Sequence, residues 1–228
     1  MNNYFHSNEC LVCKSKNLDV ISPLKGKHIT YSKLYLTRCN SCKLVFANPM
    51  PNEEKLIEYN SSYFNTAHGD FKVTPTAISF FRGISKIRLN HLTKYLNKNK
   101  IQCSKVLEIG PGPGYFAESW LELNPKTKYF AFETDSSCHD SLIEKGVKLI
   151  NLDENFKVDL IVISHVLEHV SDPIFFLNKV TRNLNKGGVL FIEVPCCDYL
   201  HKELHEPHLL FFDKSPMKFL LEKIHFKN

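Results

Sequence analysis

The sequence predicts an α/β fold, a doubly wound and mostly parallel sheet with helices on both faces, preceded by a small metal-stapled segment. Three observations predict it. After Ile101, short apolar runs alternate with helical stretches, as strand–helix–strand units of a parallel sheet do. One of those runs ends in Gly110-Pro111-Gly112-Pro113-Gly114 and passes directly into a helical stretch. Near the start, Cys10, Cys13, Cys39 and Cys42 form two C-x-x-C pairs, whereas Cys103, Cys138, Cys196 and Cys197 have no such spacing.

The elements follow in chain order. Residues 1–51 carry both cysteine pairs and short β-prone runs such as Leu34-Tyr35-Leu36-Thr37, too little to build a core alone. Four thiolates on one tetrahedral Zn²⁺ would staple such a segment and leave no open coordination position, so the expected metal is structural. Residues 52–100 read as a helical connector in which Ile78, Phe81, Ile84, Ile87, Leu92 and Leu96 recur at helical intervals, with Arg82, Lys86, Arg88 and Lys94 on the remainder. Tyr59, Tyr63 and Phe64 precede that helix and could cover a cofactor.

In residues 101–228, five strands are predicted, at 106–109, 129–133, 147–150, 159–163 and 189–194. The helix between the last two has Ser171 or Asp172 as N-cap, Pro173 in its first turn and Gly187-Gly188 past its end. A later helix starts at Ser215-Pro216 and continues through Phe219, Leu220 and Leu221.

Bulk properties narrow the function. The 228 residues are 43% hydrophobic, which suits a folded chain. No apolar run approaches the roughly 20 residues that span a bilayer, and the start lacks a signal pattern, so a cytoplasmic protein with no membrane partner is expected. The formal charge is +5. A zinc ion on four thiolates would lower it by about two, and the lysines are scattered, so charge argues weakly for nucleic acid and is compatible with sugar nucleotides.

The glycine loop carries the chemistry. Without Cβ atoms, Gly110, Gly112 and Gly114 let the backbone turn tightly and approach a ligand at a helix N-terminus. Dinucleotide sites share this pattern, but Glu108 just before the loop would repel a pyrophosphate and attract a cationic amino-acid group. Glu133, at the end of the next strand, can accept both hydroxyls of a ribose. Together these features describe S-adenosylmethionine (SAM) better than a nicotinamide dinucleotide.

At this point the sequence resembles the seven-strand SAM-dependent methyltransferases, whose fold is Rossmann-like. Residues 106–116 match their glycine motif. The run 159–170 (Asp-Leu-Ile-Val-Ile-Ser-His-Val-Leu-Glu-His-Val), then Asp172-Pro173 and 184–188, resemble the fourth strand, helix and fifth strand. The resemblance implies that Glu108, Gly110, Gly112 and Gly114 line SAM, Glu133 holds its ribose, His165 lies beside it, and Asp153 meets the adenine edge.

His165-Val-Leu-Glu168-His169 also spells the H-x-x-E-H zinc motif of one metalloprotease class. Because the motif begins at a strand end, and because a protease reading leaves the glycine loop unexplained, it is expected not to bind metal. After the fifth strand, Leu204-His205-Glu206-Pro207-His208, followed by Phe211-Phe212, is similar to the His-Glu-His stretch of methyltransferases acting on deoxysugars and surface glycans, which also carry a four-cysteine zinc domain. The run 38–49 resembles the second knuckle of that domain. The resemblance implies a histidine base, His208 ahead of His205, and a small acceptor such as a sugar nucleotide or glycan precursor.

Two other functions remain in view. One is an RNA methyltransferase that grips RNA through the zinc ribbon, against which the ribbon lacks a stripe of basic and aromatic residues. The other is a non-catalytic SAM-binding partner protein. Seven-strand methyltransferases add a C-terminal antiparallel strand pair, which is missing where the chain stops. The fifth strand would then present an open edge, which a second copy, another chain or the zinc domain is expected to cover.

Overall fold

The structure is a computed structural model that describes residues 3–60, 74–154 and 156–226. Tyr63 and Phe64 lie outside the described residues. The chain forms two compact units: Met1–Glu58, His165–Lys179 and Glu193–Asn228 make one, and Tyr59–Ser164 with Val180–Ile192 makes the other. The consecutive blocks 1–51, 52–100 and 101–228 are therefore not the units in space.

The first unit is antiparallel. Its four-stranded sheet has the order β11-β4-β3-β2, from β2 (Leu18–Pro23), β3 (Tyr35–Cys39), β4 (Val45–Asn48) and β11 (Leu210–Phe211). β11 pairs with β4 through Leu210 opposite Phe46 and Phe211 opposite Val45. This pairing is why the cysteine segment does not close on itself, since its sheet takes a strand from far along the chain. A separate two-stranded pair joins β1 (Tyr4–Phe5) to β5 (Met50–Pro51), and the helix α1 (Glu53–Asn60) follows. Leu36, Leu44, Phe46, Ala47, Phe211 and Phe212 are buried in this unit.

The second unit contains the predicted sheet, in the order β10-β9-β6-β7-β8. Its strands are β6 (Lys105–Ile109), β7 (Lys128–Phe132), β8 (Lys148–Leu149), β9 (Val158–Ser164) and β10 (Leu184–Glu193). β6 pairs in parallel with β7 and with β9, and β7 in parallel with β8. Val106, Leu160, Ala131 and Val162 bury one core with Leu89, Leu92 and Leu96 of helix α2 (Pro75–Lys98) and with Phe116, Ala117 and Trp120 of helix α3 (Tyr115–Leu123). The short helix α4 (His139–Glu144) adds Leu142.

Several local expectations are modified. In α2 the buried residues are Ser85, Leu89, Leu92 and Leu96, while Ile84 and Ile87 are exposed. The apolar stripe therefore turns toward solvent in the N-terminal half of the helix. Arg82 makes a bidentate ion pair with Glu118 at 2.8 Å from both nitrogens. In helix α5 (Pro173–Thr181), Asp172 caps the amides of Ile174 and Phe175, which selects it over Ser171. That helix stops at Thr181, and β10 begins at Leu184, so Gly187 and Gly188 lie within the strand and not ahead of it. The last helix, α6 (Lys214–Lys223), is capped by Asp213 on the Ser215 amide. No helix among the described residues is long and apolar enough to cross a membrane.

Candidate cofactor loop, cysteine cluster and histidine constellation

In the parallel-sheet unit, β6 delivers the loop and β7 delivers its acidic partner. Gly110, Gly112 and Gly114 have φ of 64°, 54° and 80°, a region that costs a residue with a Cβ about 1–2 kcal/mol. At Gly114 space is also closed, because an added Cβ would lie 2.7 Å from Leu142 Cδ2. The Glu133 carboxylate crosses to this loop and accepts the Gly112 amide at 2.9 Å, while its other oxygen accepts the Asp135 amide at 2.8 Å. Both oxygens keep a lone pair for further donors. The loop is thus held in place by the residue expected to take the ribose.

Glu108 lies beneath the loop, 3% exposed, and accepts the Tyr129 hydroxyl at 2.8 Å. Burial raises its carboxyl to about 7, Glu133 adds to the rise, and Tyr129 and Arg88 oppose it. A buried acid held that high is a poor partner for an anion and becomes a carboxylate readily when a cation arrives. Asp153, in the turn after β8, is exposed and pairs with Arg182 at 3.3 Å.

In the other unit, the four cysteine sulfurs converge. The Sγ atoms of Cys10 and Cys42 are 3.5 Å apart, those of Cys13 and Cys39 are 3.4 Å apart, and all four lie within 4.8 Å of one another. A tetrahedron with metal–sulfur bonds of about 2.3 Å has sulfurs about 3.8 Å apart, so the set fits Zn²⁺. The two knuckles repeat one design. Lys14 and Lys43, each just after the second cysteine, adopt φ of 61° and 71° and return their amides to the carbonyls of Cys10 and Cys39. The hydrogen bond between Cys10 and Cys42 pulls the Cys10 thiol down to about 5 and pushes Cys42 up.

The histidine constellation also belongs to this unit. His165 follows β9 with φ of 55°, its amide donating to the Glu193 carbonyl at 2.9 Å. Its ring lies 3.3 Å from the carboxylates of both Glu168 and Glu193, which raise it to about 9, Glu168 being the larger cause. Residues Leu167–His169 form one short 3-10 turn. His165 and His169 therefore do not share a helix face, and the metalloprotease arrangement is not formed.

His208 Nδ1 lies 2.7 Å from Asp198 Oδ2, and both side chains are buried. Burial would raise the Asp198 carboxyl, but the hydrogen bond from His208 and the charge of Lys202 outweigh it and hold it at about 2. The Asp198 carboxylate accepts the His208 Nδ1–H, which leaves the Nε2 lone pair as the ring's acceptor. His205 is placed differently. Its Nδ1 accepts the Lys25 amide at 3.2 Å, its ring is 3% exposed, and burial lowers its pKa. Glu206 accepts the amides of Lys27 and His28 at 2.6 and 2.9 Å, so the His205-Glu206 pair fastens the 25–28 loop.

Sequence reasoning missed Asp198 and the place of His169 beside His208, whose rings meet edge to face at 5.0 Å. The sole local signal for Asp198 was a carboxylate ten positions before His208, which no motif marks.

Residues 81–226, well over half of the chain, match the family model described as a methyltransferase domain. A tRNA U34 carboxymethyltransferase of Campylobacter fetus is 30% identical over 181 residues, covering 72% of this chain and 62% of that protein. The enzyme of the same name from Campylobacter jejuni is 31% identical over 122 residues, 48% of this chain and 40% of its own length. The chain thus spans 62% or less of these two curated relatives. Among solved structures, a SAM-dependent methyltransferase from Thermotoga maritima aligns with a TM-score of 0.54 at 19% identity, over 76% of this chain and 82% of that one, a likeness of fold.

Proposed function

Since the chain belongs to the methyltransferase domain family, we propose that it binds SAM through Glu108, Gly110, Gly112, Gly114 and Glu133 and transfers its methyl group to a small-molecule acceptor. The observation that carries this reading is the Glu133 carboxylate seated on the Gly112 amide at 2.9 Å, above a buried Glu108. A diol donor and a cationic amino-acid group are the ligand features these two acids suit. Asp153, exposed and paired with Arg182, is the proposed contact for the adenine edge.

SAM supplies an electrophilic methyl carbon. When bound, it would give that carbon to the acceptor lone pair as the sulfur–methyl bond electrons return to sulfur, and His208 Nε2 would take the acceptor proton. The Asp198 contact supports His208 in this role over His205, whose Nδ1 is already an acceptor for Lys25. The cysteine cluster holds a structural Zn²⁺ in this reading, and His165, ion-paired with two acids, is a proposed cofactor-binding residue.

A sugar nucleotide or glycan precursor is the proposed acceptor, supported by the likeness of the His205–His208 stretch and of the second knuckle to sugar methyltransferases. RNA is the second reading, favoured by the curated relatives, which are named for tRNA. Calorimetric titration with S-adenosylhomocysteine (SAH), followed by labelled methyl transfer to sugar nucleotides and to tRNA, separates them. Glu133→Ala is expected to abolish the heat of binding. His208→Ala is expected to keep it and to lower turnover by about 10²–10⁴. No heat with the natural sequence would overturn the cofactor reading, and labelling confined to tRNA would overturn the sugar acceptor.

A further inference from the structure

We propose that Glu168, His169 and His208 form a second divalent-metal site, made of two imidazoles and one carboxylate and separate from the cysteine cluster. Each offers a ligand atom, and the three atoms lie within 4.8 Å of one another. His169 Nε2 and Glu168 Oε1 are 3.9 Å apart. Bonds of about 2.0–2.2 Å to Zn²⁺ place donors about 3.4 Å apart in a tetrahedron, so a contraction of at most about 1.4 Å closes the set.

Two features point the donors at a cation. The first is Glu168 itself, 1% exposed, whose Oε1 faces imidazoles, His165 Nδ1 at 3.3 Å and His169 Nε2 at 3.9 Å. A buried carboxylate is costly unless its charge is compensated, and a divalent ion compensates it more fully than an imidazole. The second is the outer contacts of the rings. His208 meets the Asp198 carboxylate through Nδ1 at 2.7 Å, and His169 meets the Pro207 carbonyl through Nδ1 at 3.3 Å. These are the contacts that hold metal-binding imidazoles in the Nδ1–H form with the Nε2 lone pair inward.

Two nitrogens and an oxygen suit a borderline cation such as Zn²⁺, and three protein ligands leave a position open to water. This site goes beyond the methyl-transfer reading. Because the ion would occupy the His208 lone pair that acceptor deprotonation uses, Zn²⁺ bound here is expected to inhibit transfer.

The test is zinc titration of the full chain by calorimetry, with the metal content of the desalted protein measured in parallel. The natural sequence should bind one more equivalent than either Glu168→Gln or His169→Ala. Asp198→Asn should weaken that equivalent about 10–100-fold, and His165→Ala should keep it. Retention of the cysteine-bound zinc reports that each variant still folds. Equal zinc in the natural chain and Glu168→Gln overturns the site, as does loss of the extra equivalent in His165→Ala. SAH titration of the same samples separates the two proposals. SAH heat without extra zinc removes only the metal site, and extra zinc without SAH heat removes only the cofactor reading.

Discussion

In the parallel-sheet unit, the groups that would hold SAM come from one strand, the loop after it and the end of the next strand, Glu108 to Glu133. In the antiparallel unit, the corresponding machinery is gathered from Lys25, Glu168, Asp198 and His208, with contacts such as Lys25 to His205 spanning 180 positions. The first arrangement relies on backbone geometry, because three glycines and a tethering carboxylate define it. The second relies on side chains fixed by long-range packing and by the cysteine cluster. Damage to the two should therefore look different.

The largest expected effect is on the cysteine unit. Structural zinc contributes on the order of 10 kcal/mol to the folding of small domains. Stripping it with a chelator, or Cys39→Ser, is expected to remove hydrogen-exchange protection from strands Tyr35–Cys39 and Val45–Asn48. Protection of those strands unchanged after complete zinc removal would show that the sheet needs no metal.

Next is Gly114→Ala. Positive φ and the 2.7 Å approach to Leu142 Cδ2 together cost about 1–3 kcal/mol, and the displaced loop should lose SAH affinity by tenfold or more. A variant with natural affinity would break the claim that backbone geometry defines this site. The same substitution should leave zinc content untouched, which keeps the contrast between the units sharp.

The smallest effect is the pH dependence of cofactor binding. Glu108 holds a proton up to about pH 7 in the folded chain, while its ordinary value is 4.5. Its contribution to folding stability is thus full below pH 4.5 and is lost as pH rises to about 7. Binding of the cationic amino-acid group needs the carboxylate, so SAH affinity should rise by up to about tenfold per pH unit below 7 and level off above it. A flat profile from pH 5.5 to 8, or one unchanged in Glu108→Gln, would remove Glu108 from the cofactor's charged end.

Legibility in the sequence follows the same division. The glycine loop, Glu133 and the Asp172-Pro173 helix start are local patterns in which each residue's conformation depends on near neighbours, and the structure places them as the pattern suggests. The two cysteine knuckles are equally local, which is why their sulfurs could be paired in advance. What could not be read were pairings without a local signature. Leu210 and Phe211 look like any apolar pair until they meet Phe46 and Val45. Asp198 becomes meaningful only once a fold brings His208 to it. Ile84 and Ile87 obeyed helical spacing and are still exposed, because periodicity says which residues share a face and not what covers it.

The pairing of Leu210–Phe211 onto Val45–Asn48 also sets an order of assembly. Strands 18–48 are made well before the parallel sheet, yet their own sheet has an unfilled position until residue 211 has been added. The five-strand sheet, by contrast, is complete once residue 193 is in hand. During synthesis, the earlier-born strands must wait with an open edge while the later-born sheet condenses. The cysteine knuckles, which need only residues 10–42, are positioned to hold those strands in register through that interval.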